Sequence, residues 1–432
     1  MKTFINKCSF VMSMINIYDL RNIVLKQKEE IEKTDGSLKR DILDEILHWF
    51  KDNRVIILTG IRRCGKSTIL RQIMKEKENF CYVNFEDERF LDFKAQDFEK
   101  LNEILIEIYN NPKVYFFDEI QNIEKFETFV RRLQDEGKKI VITGSNASLL
   151  SKEFGTRLTG RYKLFEIFPF SFSEYLKFKN IEIDENLSYK TNKRVEIKKA
   201  FNKYLELGGF PEYLKTLDKD YIKDVYENIL YKDVIARYAI KKQKIIKELI
   251  NILATNISST FTYNSIKTTL NLGNSITVKE YISYLANSYF FFELPKFDFS
   301  LRRSLNSPKK IYLIDTAFNQ VTGFNFSKNM GMNLENVVFI ELKRRKKDIY
   351  YFSEKNECDF VIKEENKITN VIQCCYELTK ENKDREVKGL LEPLNKFKLK
   401  GRLIITFDQE EEFEQEGKII KVMPVWKWLL DI

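Results

Sequence analysis

Arg54-Val-Ile-Ile-Leu-Thr59 runs directly into Gly60-Ile61-Arg62-Arg63-Cys64-Gly65-Lys66-Ser67-Thr68, and a helical pattern continues to Met74. The continuous apolar run predicts a strand buried on both faces, as in a parallel sheet. Two glycines at this spacing let the following loop wrap so that its backbone N–H groups and the helix N-terminus face a polyanion. Gly60, Ile61, Arg62, Arg63, Cys64, Gly65, Lys66, Ser67 and Thr68 are therefore expected to cradle phosphates. Lys66 reaches the β- and γ-phosphates in this pattern, and the Ser67 hydroxyl is an oxygen ligand for Mg²⁺.

The other half of such a site is an apolar strand ending in a carboxylate, and Val114-Tyr115-Phe116-Phe117-Asp118-Glu119 supplies one. Asp118 is placed to hold Mg²⁺ through water. Glu119, next to it and so directed to the other side of the strand end, is placed to polarise an attacking water as general base. A further strand-like stretch, Phe80 to Phe85, lies between the two motifs, as in P-loop enzymes that hydrolyse with a glutamate. No N-K-x-D for guanine occurs, so ATP is the expected nucleotide. Another strand from Lys139 ends in Gly144-Ser145-Asn146, where Ser145 and Asn146 are candidates to orient water and sense the γ-phosphate. Arg157 or Arg161, ahead of a fifth strand at Lys163 to Phe168, is the candidate cation for charge on the transferring phosphoryl group, with Arg161 preferred.

At this point the chain resembles the archaeal and bacterial P-loop ATPases with an AAA-like core and a C-terminal part of unknown role. The resemblance rests on G-I-R-R-C-G-K-S-T at 60–68, F-F-D-E-I-Q at 116–121, I-T-G-S-N at 142–146 and L-T-G-R at 158–161. Outside the core it includes Leu207-Gly208-Gly209-Phe210-Pro211-Glu212 and Tyr312-Leu313-Ile314-Asp315. It implies an α/β fold: an AAA-like ATP-binding core with a parallel sheet, a helical lid and two C-terminal modules.

Composition narrows the chemistry further. A length of 432 residues exceeds one domain of about 150. The single histidine, His48, leaves no metal site built on two histidines and only one residue for any Ser-His-Asp triad. The six cysteines, Cys8, Cys64, Cys81, Cys358, Cys374 and Cys375, form no C-x-x-C pair and suit a reducing compartment. No apolar run is long enough to span a bilayer. The first fifteen residues mimic a signal peptide without a small-x-small cleavage site, so the expected location is cytoplasmic. Met12 or Met14, just ahead of a helix-like stretch, offers an alternative start.

The expected division is an N-terminal helical segment (1–53), the ATPase core (54–169), a helical lid (170–240) with Arg237 as a lid contact, a winged helix (241–330) and a restriction-endonuclease-like domain (331–432). The winged helix follows from three short helices and two strands, with Thr277 and Glu280 as a capping box for the recognition helix. Between 241 and 315 there are eleven Lys and Arg against five Asp and Glu, six of the nine surplus positive charges of the chain. Lys279 on a helix and Arg302, Arg303, Lys309 and Lys310 on the wing are the candidate contacts to duplex DNA. In the last domain Glu335, Asp359 and Gln373 match a nuclease metal site in order. Cys375 stands where that fold carries its lysine, so the site is expected to be vestigial. Lys343 is a candidate substitute. The sum is a Mg²⁺-dependent ATPase, oligomeric or completed by a partner, coupling its nucleotide to duplex DNA or an acidic protein. A slow nucleotide-gated switch and a metal-dependent nuclease are the alternatives.

Overall fold

The computed structural model describes residues 15–31, 36–146, 160–183, 191–322, 330–399 and 402–432. Arg157 and the Leu158-Thr159 half of the L-T-G-R motif lie outside them. The chain divides into two compact units, residues 1–59 with 66–165 and residues 60–65 with 166–432.

The first unit is built on a five-stranded sheet of β1 (Val55–Thr59), β2 (Phe80–Asn84), β3 (Val114–Asp118), β4 (Lys139–Gly144) and β5 (Tyr162–Glu166), in the order β2-β3-β4-β1-β5. β2, β3, β4 and β1 pair in parallel. Every residue of β1 and β3 is buried, which is why both read as continuous apolar runs rather than alternating ones. Register places Thr59 opposite Gly144 and Phe117 opposite Ile142, so the carboxyl ends of β1, β3 and β4 share one edge. That edge is where open α/β sheets bind ligands.

The helix Ile17–Ile31 buries Leu20, Ile23, Val24 and Gln27, a spacing of three and four that makes one face. Leu20, Ile23 and Val24 of that face join the core of the nucleotide sheet. Gln27 acts as a substitute strand: its amide donates to the Asn84 carbonyl at 3.0 Å and accepts the Asn84 N–H at 2.9 Å, closing the β2 edge.

The second unit opens with helices Phe172–Phe178, Thr191–Leu207, Pro211–Thr216 and Lys219–Asn228, the last continuing into a wider i→i+5 winding at Ile229–Ala236. Two motifs quoted above meet here. Asp315 accepts N–H bonds from Gly209 at 2.8 Å and Ala317 at 2.9 Å. Gly208 has φ of +72°, and a Cβ there would sit 1.7 Å from Asp315 Oδ1, so no side chain fits. Burial pushes the Asp315 carboxyl up to about 6 even though both N–H bonds favour its charge.

Helices Gln243–Thr255, Tyr263–Thr269 and Ser275–Asn287 follow, with β6 (Thr260–Phe261), β7 (Phe291–Pro295) and β8 (Lys309–Leu313) in an antiparallel sheet of order β6-β8-β7. Asn274, not Thr277, caps the third helix, its side chain accepting the Ile276 N–H at 2.8 Å. Thr277 lies inside the first turn. A short helix, Leu301–Asn306, was not anticipated between β7 and β8.

The chain ends in a six-stranded sheet of β9 (Asp348–Ser353), β10 (Glu357–Glu364), β11 (Lys367–Cys374), β12 (Leu403–Thr406), β13 (Glu411–Gln415) and β14 (Lys418–Pro424), ordered β13-β14-β12-β11-β10-β9. Helix Lys383–Phe397 packs Val387, Leu390, Leu391 and Leu394 on this sheet. Helix Met330–Arg344 precedes it. Among the described residues no helix is long and apolar enough to cross a membrane.

Candidate functional site

The loop after β1 has little choice of residue at its first position. Gly60 has φ of +154°, and a Cβ there would lie 2.1 Å from the Ile167 carbonyl oxygen. Ile61 and Cys64 turn inward and are fully buried, while Arg63 is exposed with φ of +67°. The Cys64 N–H donates to the Ile61 carbonyl at 3.4 Å. Helix Lys66–Lys75 then begins with Lys66 itself, so its first-turn N–H groups and positive dipole end belong to Lys66, Ser67 and Thr68 of the motif.

Within the first unit the groups at the sheet edge are tightly linked. The Thr143 hydroxyl donates to Asp118 Oδ1, the Tyr82 hydroxyl donates to Oδ2 at 3.3 Å, and the Ser67 hydroxyl also bonds the carboxylate. Burial raises the Asp118 carboxyl above its usual range and the Glu119 charge raises it further, against these bonds and Lys66. A carboxylate short of positive charge beside a hydroxyl is a hard-oxygen donor set that fits Mg²⁺, which takes few protein ligands and fills the rest with water and phosphate.

Glu119 has φ of +51°, the left-handed region, which a non-glycine residue keeps only where its surroundings hold it. Its N–H donates to Thr143 Oγ1 at 2.9 Å, and its Oε2 accepts from the Ser145 N–H at 3.2 Å and from Gln121 Nε2 at 2.5 Å. Lys66 Nζ stands 3.7 Å from Oε1. The Ser145 hydroxyl and Gln121 Oε1 are buried without a hydrogen-bond partner, and buried polar atoms of that kind call for a small polar occupant. Asn146 is buried, with its carbonyl accepting from the Thr59 hydroxyl at 3.3 Å. The sequence reading quoted Gln121 in its motif and gave it no role.

Arg161 does not join this group. Its carbonyl accepts the Val55 N–H at 2.9 Å, at the start of β1 and so at the opposite end of that strand from Thr59. Its guanidinium pairs with Asp135 at 2.5 Å on the surface. One strand length, about 15 Å at 3.3 Å per residue, separates it from the sheet edge that carries Asp118.

The candidate DNA contacts are also divided. Lys279, Arg302 and Arg303 are exposed, Arg302 and Arg303 lying on the helix Leu301–Asn306 and Arg303 pairing with Asp298 at 3.0 Å. Lys309 is half-buried and donates to the carbonyls of Leu305 at 2.9 Å and Ser307 at 3.3 Å. Lys310 is the correction: it is 1% exposed, and its ammonium lies 2.8 Å from Asp359, 2.9 Å from Glu357 and 3.1 Å from Glu335. No phosphate reaches it.

That ammonium joins two of the three residues expected at a nuclease site. Tyr312 adds its hydroxyl to Glu335 at 2.7 Å. Burial alone lowers the Lys310 ammonium, but the Asp359 and Glu335 charges outweigh it and hold it well above its usual value. Burial and the Asp359 charge raise the Glu335 carboxyl. Gln373 stands apart: its amide donates to Glu386 at 2.7 Å while its oxygen accepts the Asp359 N–H at 3.2 Å. Lys310 is the cation paired with Glu335, Glu357 and Asp359, and among the described residues no three His, Cys, Asp or Glu side chains are placed to hold a metal ion. Lys343 lies over the Phe292 ring at 5.8 Å, and Cys375 is a thiol pushed up to about 12 by burial.

The family model of an AAA domain matches residues 52–176, and that of a domain of unknown function (DUF8612) matches residues 198–326. The chain is 37% identical over 441 residues to the uncharacterized protein MJ1544 of Methanocaldococcus jannaschii, covering 97% of both chains. It is 31% identical over 401 residues to an uncharacterized protein of Haemophilus influenzae, covering 88% of this chain and 96% of that one. Among solved structures it is similar to the Walker-type ATPase PABY2304 of Pyrococcus abyssi, with 16% identity, a TM-score of 0.43, and coverage of 66% of this chain and 95% of that chain.

Proposed function

From the premise that this chain belongs to the P-loop ATPase family, carrying an AAA domain at residues 52–176, and to one family with its jannaschii relative over nearly its whole length, we propose that it binds MgATP and hydrolyses it, using the nucleotide to control binding by its C-terminal half. The observation that carries the hydrolytic part is the buried Glu119 carboxylate beside the unpartnered Ser145 hydroxyl. A water placed there accepts from Ser145 and gives its proton toward Glu119, while Gln121 holds the carboxylate in position. Lys66 leaves Glu119 for the phosphates when ATP enters. Ser67 and, through water, Asp118 would hold Mg²⁺, which would supply positive charge to the phosphate oxygens. Asn146, two residues beyond β4, senses the γ-phosphate in this reading.

Residues 54–169 then form the ATPase core, 170–240 its lid, 241–330 a winged helix and 331–432 a nuclease-like module retained for binding. Exposed Lys279, Arg302 and Arg303 fit duplex DNA. Counting these three as phosphate contacts at about −0.9 in slope each, a fourfold rise in salt weakens binding about 40-fold. Replacing Arg302 and Arg303 by Ala flattens the slope by roughly one to two units. Binding to DNA that ignores salt, or none at low ionic strength, moves the partner to an acidic protein. Steady-state ATP turnover with and without duplex DNA tests the coupling: strong stimulation supports it, and a flat slow rate supports a nucleotide-gated switch.

No Mg²⁺- or Mn²⁺-dependent cleavage of plasmid, linear duplex or single-stranded DNA is expected from the purified protein. A divalent ion would contest its place between Glu335 and Asp359 with the Lys310 ammonium already there. Reproducible cleavage that disappears in Asp359→Ala contradicts this.

A further inference from the structure

We propose that Asp233 is a positioning residue for the phosphate loop, acting through Arg62; this rests on the reading of that loop as an ATP site. Arg62 grips Asp233 with two N–H···O bonds, Nε to Oδ2 at 3.0 Å and Nη2 to Oδ1 at 2.9 Å, the forked arrangement that fixes direction as well as charge. The Asp233 side chain is 3% exposed and that of Arg62 17%, so water screens the pair little.

Three features around the pair point the same way. Residues 60–65 belong with residues 166–432 as one compact unit, and the Arg62–Asp233 pair is a polar bond within it. Arg63, the next residue, sits at φ of +67°, a conformation that persists only where neighbours impose it. Asp233 itself lies in the i→i+5 winding of Ile229–Ala236, a rare geometry that turns its side chain away from where a regular helix would send it.

Two roles are open to such a pair, and their costs choose between them. If ATP drew Arg62 onto its phosphates, Asp233 would be left charged and buried without its partner, a strongly unfavourable state. Keeping the pair intact has no such cost and leaves the loop N–H groups converged before the nucleotide arrives, so that less ordering is needed on binding. The pair therefore persists in both states and presets the loop.

Calorimetric titration with MgATP and steady-state kinetics on the full chain test this. Asp233→Asn keeps shape and one acceptor and loses the charge. It is expected to weaken MgATP and lower kcat/KM by about 10- to 100-fold, mostly through KM, as misplacement of binding groups does. Arg62→Lys keeps the charge without the fork and is expected to fall in the same range. The double change Arg62→Gln with Asp233→Asn, measured beside Arg62→Gln and Asp233→Asn alone, leaves no buried charge unpaired, so it guards against a folding failure. Acting through one another, the two losses do not add, and the double variant binds no more weakly than the worse single. Wild-type affinity in Asp233→Asn, or a double variant whose loss equals the two single losses combined, overturns the positioning role. Absence of MgATP binding in the unmodified chain overturns the ATP reading beneath it instead.

Discussion

Glu119→Gln lowers steady-state ATP turnover by about 10²- to 10⁴-fold, the range that removing a positioned general base costs, while MgATP stays bound. The substitution keeps the side chain's length and an oxygen to accept from Ser145 and Gln121, so the left-handed turn at residue 119 keeps its hydrogen bonds. What disappears is the negative charge. That charge is needed to receive a proton from water, and in the nucleotide-free chain it also faces Lys66 at 3.7 Å. Removing that charge takes away one competitor for the Lys66 ammonium, so affinity for MgATP is expected to hold or rise. A variant that turns ATP over at the wild-type rate rejects the role of Glu119.

Lys310→Met destabilises the folded chain by about 3–5 kcal/mol, the usual cost of removing one partner from a buried ion cluster. The methylene stem is replaced in kind and the loss is the ammonium. Glu335, Asp359 and Glu357 then face one another across a space with 1% of its lysine exposed to water. Thermal or urea unfolding measures it. The loss also shrinks as pH falls, because Glu335, already raised by burial and by Asp359, takes up a proton and removes the repulsion. Unchanged stability would mean that the cluster is open to water.

The strand, loop and helix around residues 55–75 and the strand ending at Asp118 were legible in the sequence, because parallel strands buried on both faces leave no ambiguity of face. Gln27 closing the β2 edge was not legible, since a helix that buries one amide looks like any amphipathic helix. Arg161 was misplaced for a reason the sequence did contain. Residues before a strand and residues after its parallel neighbour lie at opposite edges of a sheet, and Arg161 precedes β5 whereas Gly60 follows β1. Lys310 gave a partial signal, alternating with Tyr312 in an apolar strand. A charge on a buried face must have partners, but Glu335 and Asp359 lie 25 and 49 residues away. Asp233 gave none, because its partner Arg62 is 171 residues away.

The most direct measurement is a calorimetric titration of MgATP into the full chain and into Lys66→Ala. Lys66 opens the helix after the loop at 60–65 and is 5% exposed, and it is the ammonium assigned here to the β- and γ-phosphates. Saturable binding at one site in the unmodified chain, abolished in Lys66→Ala while the two melt alike, is the predicted result. Equal affinity in both, or no heat in either, contradicts it.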